Sequence, residues 1–179
     1  QAWVVDALLD ADPTLTAGDF GLACALYDVA AVSAVLARDP DAARLPVSGR
    51  PPLCHLAFSR WIKARPGLEQ DMMAVAQALV AHGADVDAGF PAYDGGDHLL
   101  SPLYGAIGHA DNMVLGRWLL EQGATPNDNE SLYHATELGH HDGLRLLLAH
   151  GADPKGTNAL LRAMDFHDHT AVRLLLEHG

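Results

Sequence analysis

The sequence predicts an all-α solenoid of stacked helix-turn-helix units, and three observations carry that prediction. Gly123, Gly151 and Gly179 stand 28 residues apart each time. The pentapeptide Ala-His-Gly-Ala-Asp occurs twice, at 81–85 and at 149–153. Between such markers apolar residues recur at spacings of three and four, the mark of short amphipathic helices. A fixed period over several units argues for repeats that bury their apolar faces on one another, because one such unit cannot cover its own.

The segment 130–156 serves as the ruler. Leu132, Ala135 and Leu138 mark its first helix, Gly139 supplies a turn, and Leu144, Leu147 and Leu148 mark the second. Gly151 then stands where a helix C-cap favours a left-handed residue, and Asp153-Pro154 blocks continuation. Measured against this ruler, the chain is a single domain over 1–179. It opens with a half repeat at 1–12, where Val4, Val5, Leu8 and Leu9 end at Asp12-Pro13. Repeats follow at approximately 18–40, 50–84, 101–124, 130–152 and 157–179. The 50–84 unit is swollen by about ten residues, its first helix expected to run through Leu56, Ala57, Trp61 and Ile62 toward Ala64, with Leu68 to Ala81 as the second. A long irregular connection at 86–100 interleaves Gly89, Pro91, Gly95 and Gly96 with Phe90, Tyr93, Asp94, Asp97 and His98.

These residues resemble the ankyrin repeat. Ser101-Pro102-Leu103-Tyr104 is similar to that family's opening tetrapeptide, Gly139-His140 to its inter-helix pair, and Leu146-Leu147-Leu148 with Gly151-Ala152-Asp153-Pro154 to its closing pattern. Ankyrin units are about 33 residues long. The 28-residue period here therefore implies projecting β-hairpins that are short or absent in the C-terminal repeats. The family's opening His is replaced by Tyr104, Tyr133 and Leu161.

Of the 179 residues, 49% are hydrophobic and 19% charged, which suits a globular core, and no apolar run is long enough to span a membrane. The net charge of −12 argues against nucleic acid or an anionic membrane surface as partner. One basic stretch interrupts the acidity: Arg38, Arg44, Arg50, Arg60, Lys63 and Arg65 lie within 38–65. It is either a solvated face or a docking patch for an acidic partner. Cys24 and Cys54 read as small core residues, and a reducing, cytoplasmic setting fits them. The chain begins without Met on a half repeat and ends just after Leu174-Leu175-Leu176, so further sequence, or self-association through uncapped ends, is expected.

Catalysis is not expected. No serine or cysteine stands in a nucleophile elbow, and Gly95-Gly96 lacks the lysine of a phosphate loop. The 11 histidines raise a metal hypothesis around His140, His141, His167 and His169, but repetition accounts for most of them; no metal and no cofactor is expected. What the resemblance implies instead is a protein-interaction module whose first helices and loops line a concave face. Register places Tyr104, Tyr133, His134, Glu137, Arg162 and Asp165 there, with Tyr93, Asp94, Asp97 and His98 on the 86–100 loop. The competing expectation is a regulatory or targeting segment of a larger enzyme.

Overall fold

The computed structural model describes residues 2–179, and their contacts divide into two compact units, one ending at Phe90 and the other beginning at Pro91. Both units are built from helix pairs, as an all-α repeat solenoid requires.

In the first unit, α1 (Ala2–Ala11) stops where the Asp12 carboxylate accepts the Thr14 amide at 2.9 Å and its hydroxyl at 2.7 Å. A single turn, α2 (Leu15–Gly18), leads into α3 (Phe20–Ala25), capped by Asp19, and α4 (Val29–Arg38), capped by Asp28. Asp28 also accepts the Thr16 hydroxyl at 2.6 Å. Then come α5 (Pro52–Ala57), α6 (Trp61–Ala64) and α7 (Glu69–Ala81). Helix α3 packs on α5 and α4 on α7, closing a core of Cys24, Val32, Leu36, Leu53, Leu56, Met72, Val75 and Leu79. Burying each large apolar side chain contributes about 1.5–3 kcal/mol.

The long first helix expected toward Ala64 is broken between α5 and α6. The Ser59 hydroxyl donates to the Ala25 carbonyl at 2.6 Å and accepts the Trp61 amide at 3.2 Å, while the Ser59 carbonyl accepts from the Tyr27 phenol at 3.3 Å. Groups that would propagate the helix are thereby used across the repeat interface. Three cations of the basic stretch are engaged within the unit. Arg44 pairs with Asp41, Arg65 pairs with Asp6 and lies 5.0 Å from the Trp61 ring centroid, and Arg50 stacks 4.2 Å from that of Phe90. Both cysteines are free and fully buried, and desolvation pushes each thiol up to about 12.

The second unit begins at a connection that is not wholly irregular. Two-residue strands at Phe90–Pro91 and Leu99–Leu100 form a ribbon, Ala92 donates its amide to the His98 carbonyl at 2.9 Å, and Gly96 donates to Tyr93 at 3.0 Å, closing a turn. Helix α8 (Pro102–Tyr104), capped by the Ser101 hydroxyl, widens into a π turn over Gly105–His109. The remaining helices are α9 (Met113–Glu121), α10 (Ser131–Ala135), α11 (Asp142–Ala149), α12 (Ala159–Asp165) and α13 (His169–His178). The first helices α8, α10 and α12 stack in one layer and the second helices α9, α11 and α13 in another, around Leu103, Ile107, Leu115, Leu119, Leu144, Leu147 and Leu175.

The 28-residue period has a backbone basis. Asp111, Gly139 and His167 take the same left-handed turn between paired helices, at φ 51°, 76° and 53°. In the 125–130 connection side chains tie neighbouring repeats together without a hairpin. Asn127 accepts the Asp153 amide at 2.8 Å. Asp128 accepts the amides of Glu130 and Ser131, the Ser131 hydroxyl at 2.6 Å and the Ser101 hydroxyl. Asp128 thus links neighbouring repeats from the connection that leads into α10.

Candidate interaction face

The first-helix layer α8–α10–α12 presents equivalent positions in three successive repeats. Tyr104, Tyr133 and Leu161 form one row, Gly105, His134 and Arg162 a second, and Gly108, Glu137 and Asp165 a third. Substitutions along these rows create a continuous polar and aromatic chain.

His134 is its centre. Nε2 lies 3.0 Å from Glu130 Oε2 and Nδ1 lies 2.7 Å from Glu137 Oε2, so the imidazole bridges two carboxylates on its own helix face. A ring protonated on both nitrogens donates to both acids. Toward the ribbon, His98 Nε2 meets the other oxygen of Glu130 at 2.6 Å, and this contact anchors the 86–100 loop to α10. Toward α12, Glu137 Oε1 receives Nε and Nη2 of Arg162, each at 2.7 Å. The run His98–Glu130–His134–Glu137–Arg162 therefore crosses from the loop to the last repeat. Partial burial pushes the Glu137 carboxyl up, but hydrogen bonds from His134 and Arg162, with their charge, outweigh it and hold the group below its ordinary value.

Aromatic rings line this run. The His134 ring is 4.8 Å from Tyr104 at 36° and 4.9 Å from Tyr133, edge to face. Tyr104 and Tyr133 thus meet through His134, which both rings touch. Gly108 makes the approach possible: a Cβ there would lie 2.7 Å from Tyr104 Cδ2 and 2.8 Å from His134 Cβ. Arg162 lies 4.3 Å from the Phe166 ring centroid and 5.8 Å from that of Tyr133, in cation–π range. Burial raises the Tyr104 phenol, and the charges of Glu130, Glu137 and Asp128 raise it further.

Beside this run, large apolar side chains stand in solvent: Leu161 is 62% exposed, Met164 54% and Phe166 50%. Tyr93 is 65% exposed at the ribbon tip, its ring resting on Gly96 between the exposed Asp94 and Asp97. Asp165 is exposed at the end of α12.

The structure thus joins His98, Tyr104, Tyr133, His134, Glu137 and Arg162 in one network, while Tyr93, Asp94, Asp97 and Asp165 stand exposed apart from its ion pairs. Sequence reasoning missed Glu130 and Phe166. Each lies four residues from a residue already singled out, His134 and Arg162 respectively, so helical spacing could have found both. On the inter-helix turns, His140 engages Asp111 at 2.9 Å and His141 engages Asp168 at 2.8 Å. Among the described residues no group of three or more His, Cys, Asp or Glu is placed to hold a metal ion.

Residues 103–179, which hold α10–α13 and most of the face, match the family model described as ankyrin repeats, in three copies. Comparison with curated proteins gives no match.

Proposed function

We propose that this chain, whose residues 103–179 match the ankyrin-repeat model, is a non-catalytic module that takes a partner protein on the α8–α10–α12 face and the 86–100 loop. Ankyrin repeats are generally protein–protein interaction modules, and the family is typically non-enzymatic. The observation that carries the assignment to this face is the solvent exposure of Leu161, Met164 and Phe166 together beside an ordered run of ion pairs. Exposed apolar clusters rimmed by polar groups mark association surfaces, whereas singly scattered ones do not. Among the described residues no helix is long and apolar enough to cross a membrane. Two buried free thiols suit work in a reducing cytoplasm.

Affinity capture from a lysate of the source organism, with wild type and two variants compared, tests the reading. Leu161→Ser with Met164→Ser removes the apolar patch without adding charge, and Tyr93→Ala with Asp94→Ala and Asp97→Ala strips the ribbon tip while leaving His98 on Glu130. Both variants are expected to lose the captured protein while melting within a few degrees of wild type. Retention by both at wild-type levels refutes the face.

A further inference from the structure

Resting on the protein-binding reading above, we infer that this face selects a partner segment bearing arginine, with lysine second, rather than a neutral or acidic one. Charge sets the sign. Residues 91–179 carry 12 Asp and Glu against 5 Lys and Arg, and Arg162 is the one Lys or Arg on α8, α10 and α12. That cation is already bound to Glu137, and His98 and His134 are spent on Glu130 and Glu137. The carboxylates of Asp94, Asp97 and Asp165 stand exposed outside these pairs. The rise imposed on the Tyr104 phenol by three nearby acids has the same sign.

Geometry supplies the guanidinium preference. Arg162 displays on the chain itself how the face holds such a group: one carboxylate oxygen receives two of its nitrogens, and aromatic rings stand 4.3 and 5.8 Å from it. The ribbon tip repeats those ingredients, with one face of the Tyr93 ring laid on Gly96, the side chain 65% exposed, and Asp94 and Asp97 close by in sequence. A planar guanidinium can stack on a ring and pair with a carboxylate at once, which a compact ammonium does less well. Leu161, Met164 and Phe166, exposed on and just after α12 beside Arg162, offer the apolar anchor.

Panning a random dodecapeptide display library against the full chain at physiological ionic strength tests this. The peptides expected to enrich carry net positive charge, with Arg outnumbering Lys, and at least one large apolar residue. Each exposed carboxylate–cation contact is worth a factor of about 1.5 to 5 in affinity. The Asp94→Asn, Asp97→Asn, Asp165→Asn variant, changed only at exposed positions, should therefore bind the enriched peptides about tenfold more weakly with an unchanged melt. Neutral or acidic enriched sequences, basic ones that bind this variant as tightly as wild type, or no enrichment at all overturn the proposal. The neutral Leu161→Ser, Met164→Ser variant, which removes the apolar patch without adding carboxylates, separates the two claims. Peptides that still bind it sit elsewhere and defeat the face itself, while peptides lost with it but lacking basic residues defeat only the charge assignment.

Discussion

Replacing Glu137 with Gln cuts the ion-pair run at the one residue that serves both neighbours. The carboxylate accepts His134 through one oxygen at 2.7 Å and Arg162 through the other, twice at 2.7 Å. An amide cannot reproduce this, because its NH2 group must face one of the two donors and its charge is gone. The side chains of Glu137, His134 and Arg162 are 26%, 25% and 33% exposed, which places both pairs toward the upper end of the range for accessible ion pairs. The expected loss is about 1–2 kcal/mol at pH 7, from about 0.5–1 kcal/mol for each of the two pairs. Urea unfolding reads it as a lower midpoint, by about 0.5–1 M, at unchanged slope. Acid gives an independent check of sign. The folded Glu137 carboxyl lies below its ordinary 4.5, so its contribution is fully present above that value and is lost as pH falls through the folded one. Wild type and Glu137→Gln should therefore converge in stability as pH drops below about 4.5. Equal midpoints at pH 7, or a gap that widens in acid, refute the reasoning.

Three further outcomes test other parts of the structure. Gly116→Ala would set a Cβ 2.4 Å from Ile107 Cγ1, so overpacking of about 1–3 kcal/mol should outweigh the roughly 1 kcal/mol gain in helix propensity; a raised melting temperature contradicts the packing described. Asp128→Ala removes the acceptor shared by Glu130, Ser131 and Ser101 and should destabilise by about 2 kcal/mol in urea titration, an unaltered midpoint being the contrary result. Cys24 and Cys54, buried and pushed up to about 12, should resist a thiol-disulfide reagent at pH 8 until urea is added, whereas rapid labelling of the folded chain contradicts their burial.

The helix pairs were legible in the sequence because each unit repeats the same local instructions. The left-handed residues at 111, 139 and 167, the Asp-Pro stops and the apolar spacings all act within one repeat. What escaped acts between repeats. Ser59 breaks α5 from α6 through Ala25 and Tyr27, residues more than thirty positions away. Glu130 draws its importance partly from His98, 32 residues earlier, and no apolar period marks such a pair. The ribbon in 86–100 was hidden because its strands are only two residues long and its glycines read as breaks. Tyr104, Tyr133, His134, Glu137 and Arg162 come together because a row position recurs on the same face in three successive repeats, whereas His98 reaches them from the loop. Their ion pairs, by contrast, depended on which side chains met across the stack.

Hydroxyl-radical footprinting of the full chain, free and bound to the captured protein, reads directly whether a partner protein sits on the α8–α10–α12 face and the ribbon tip. Tyr93, Leu161, Met164 and Phe166 are at least half exposed and serve as reporters, with Val114 and Arg145 on the second-helix layer as controls. With the partner on that face, oxidation of the four reporters falls severalfold on binding while Val114 and Arg145 are unchanged. Protection of Val114 and Arg145, with Leu161, Met164 and Phe166 oxidised as in the free chain, would contradict that placement.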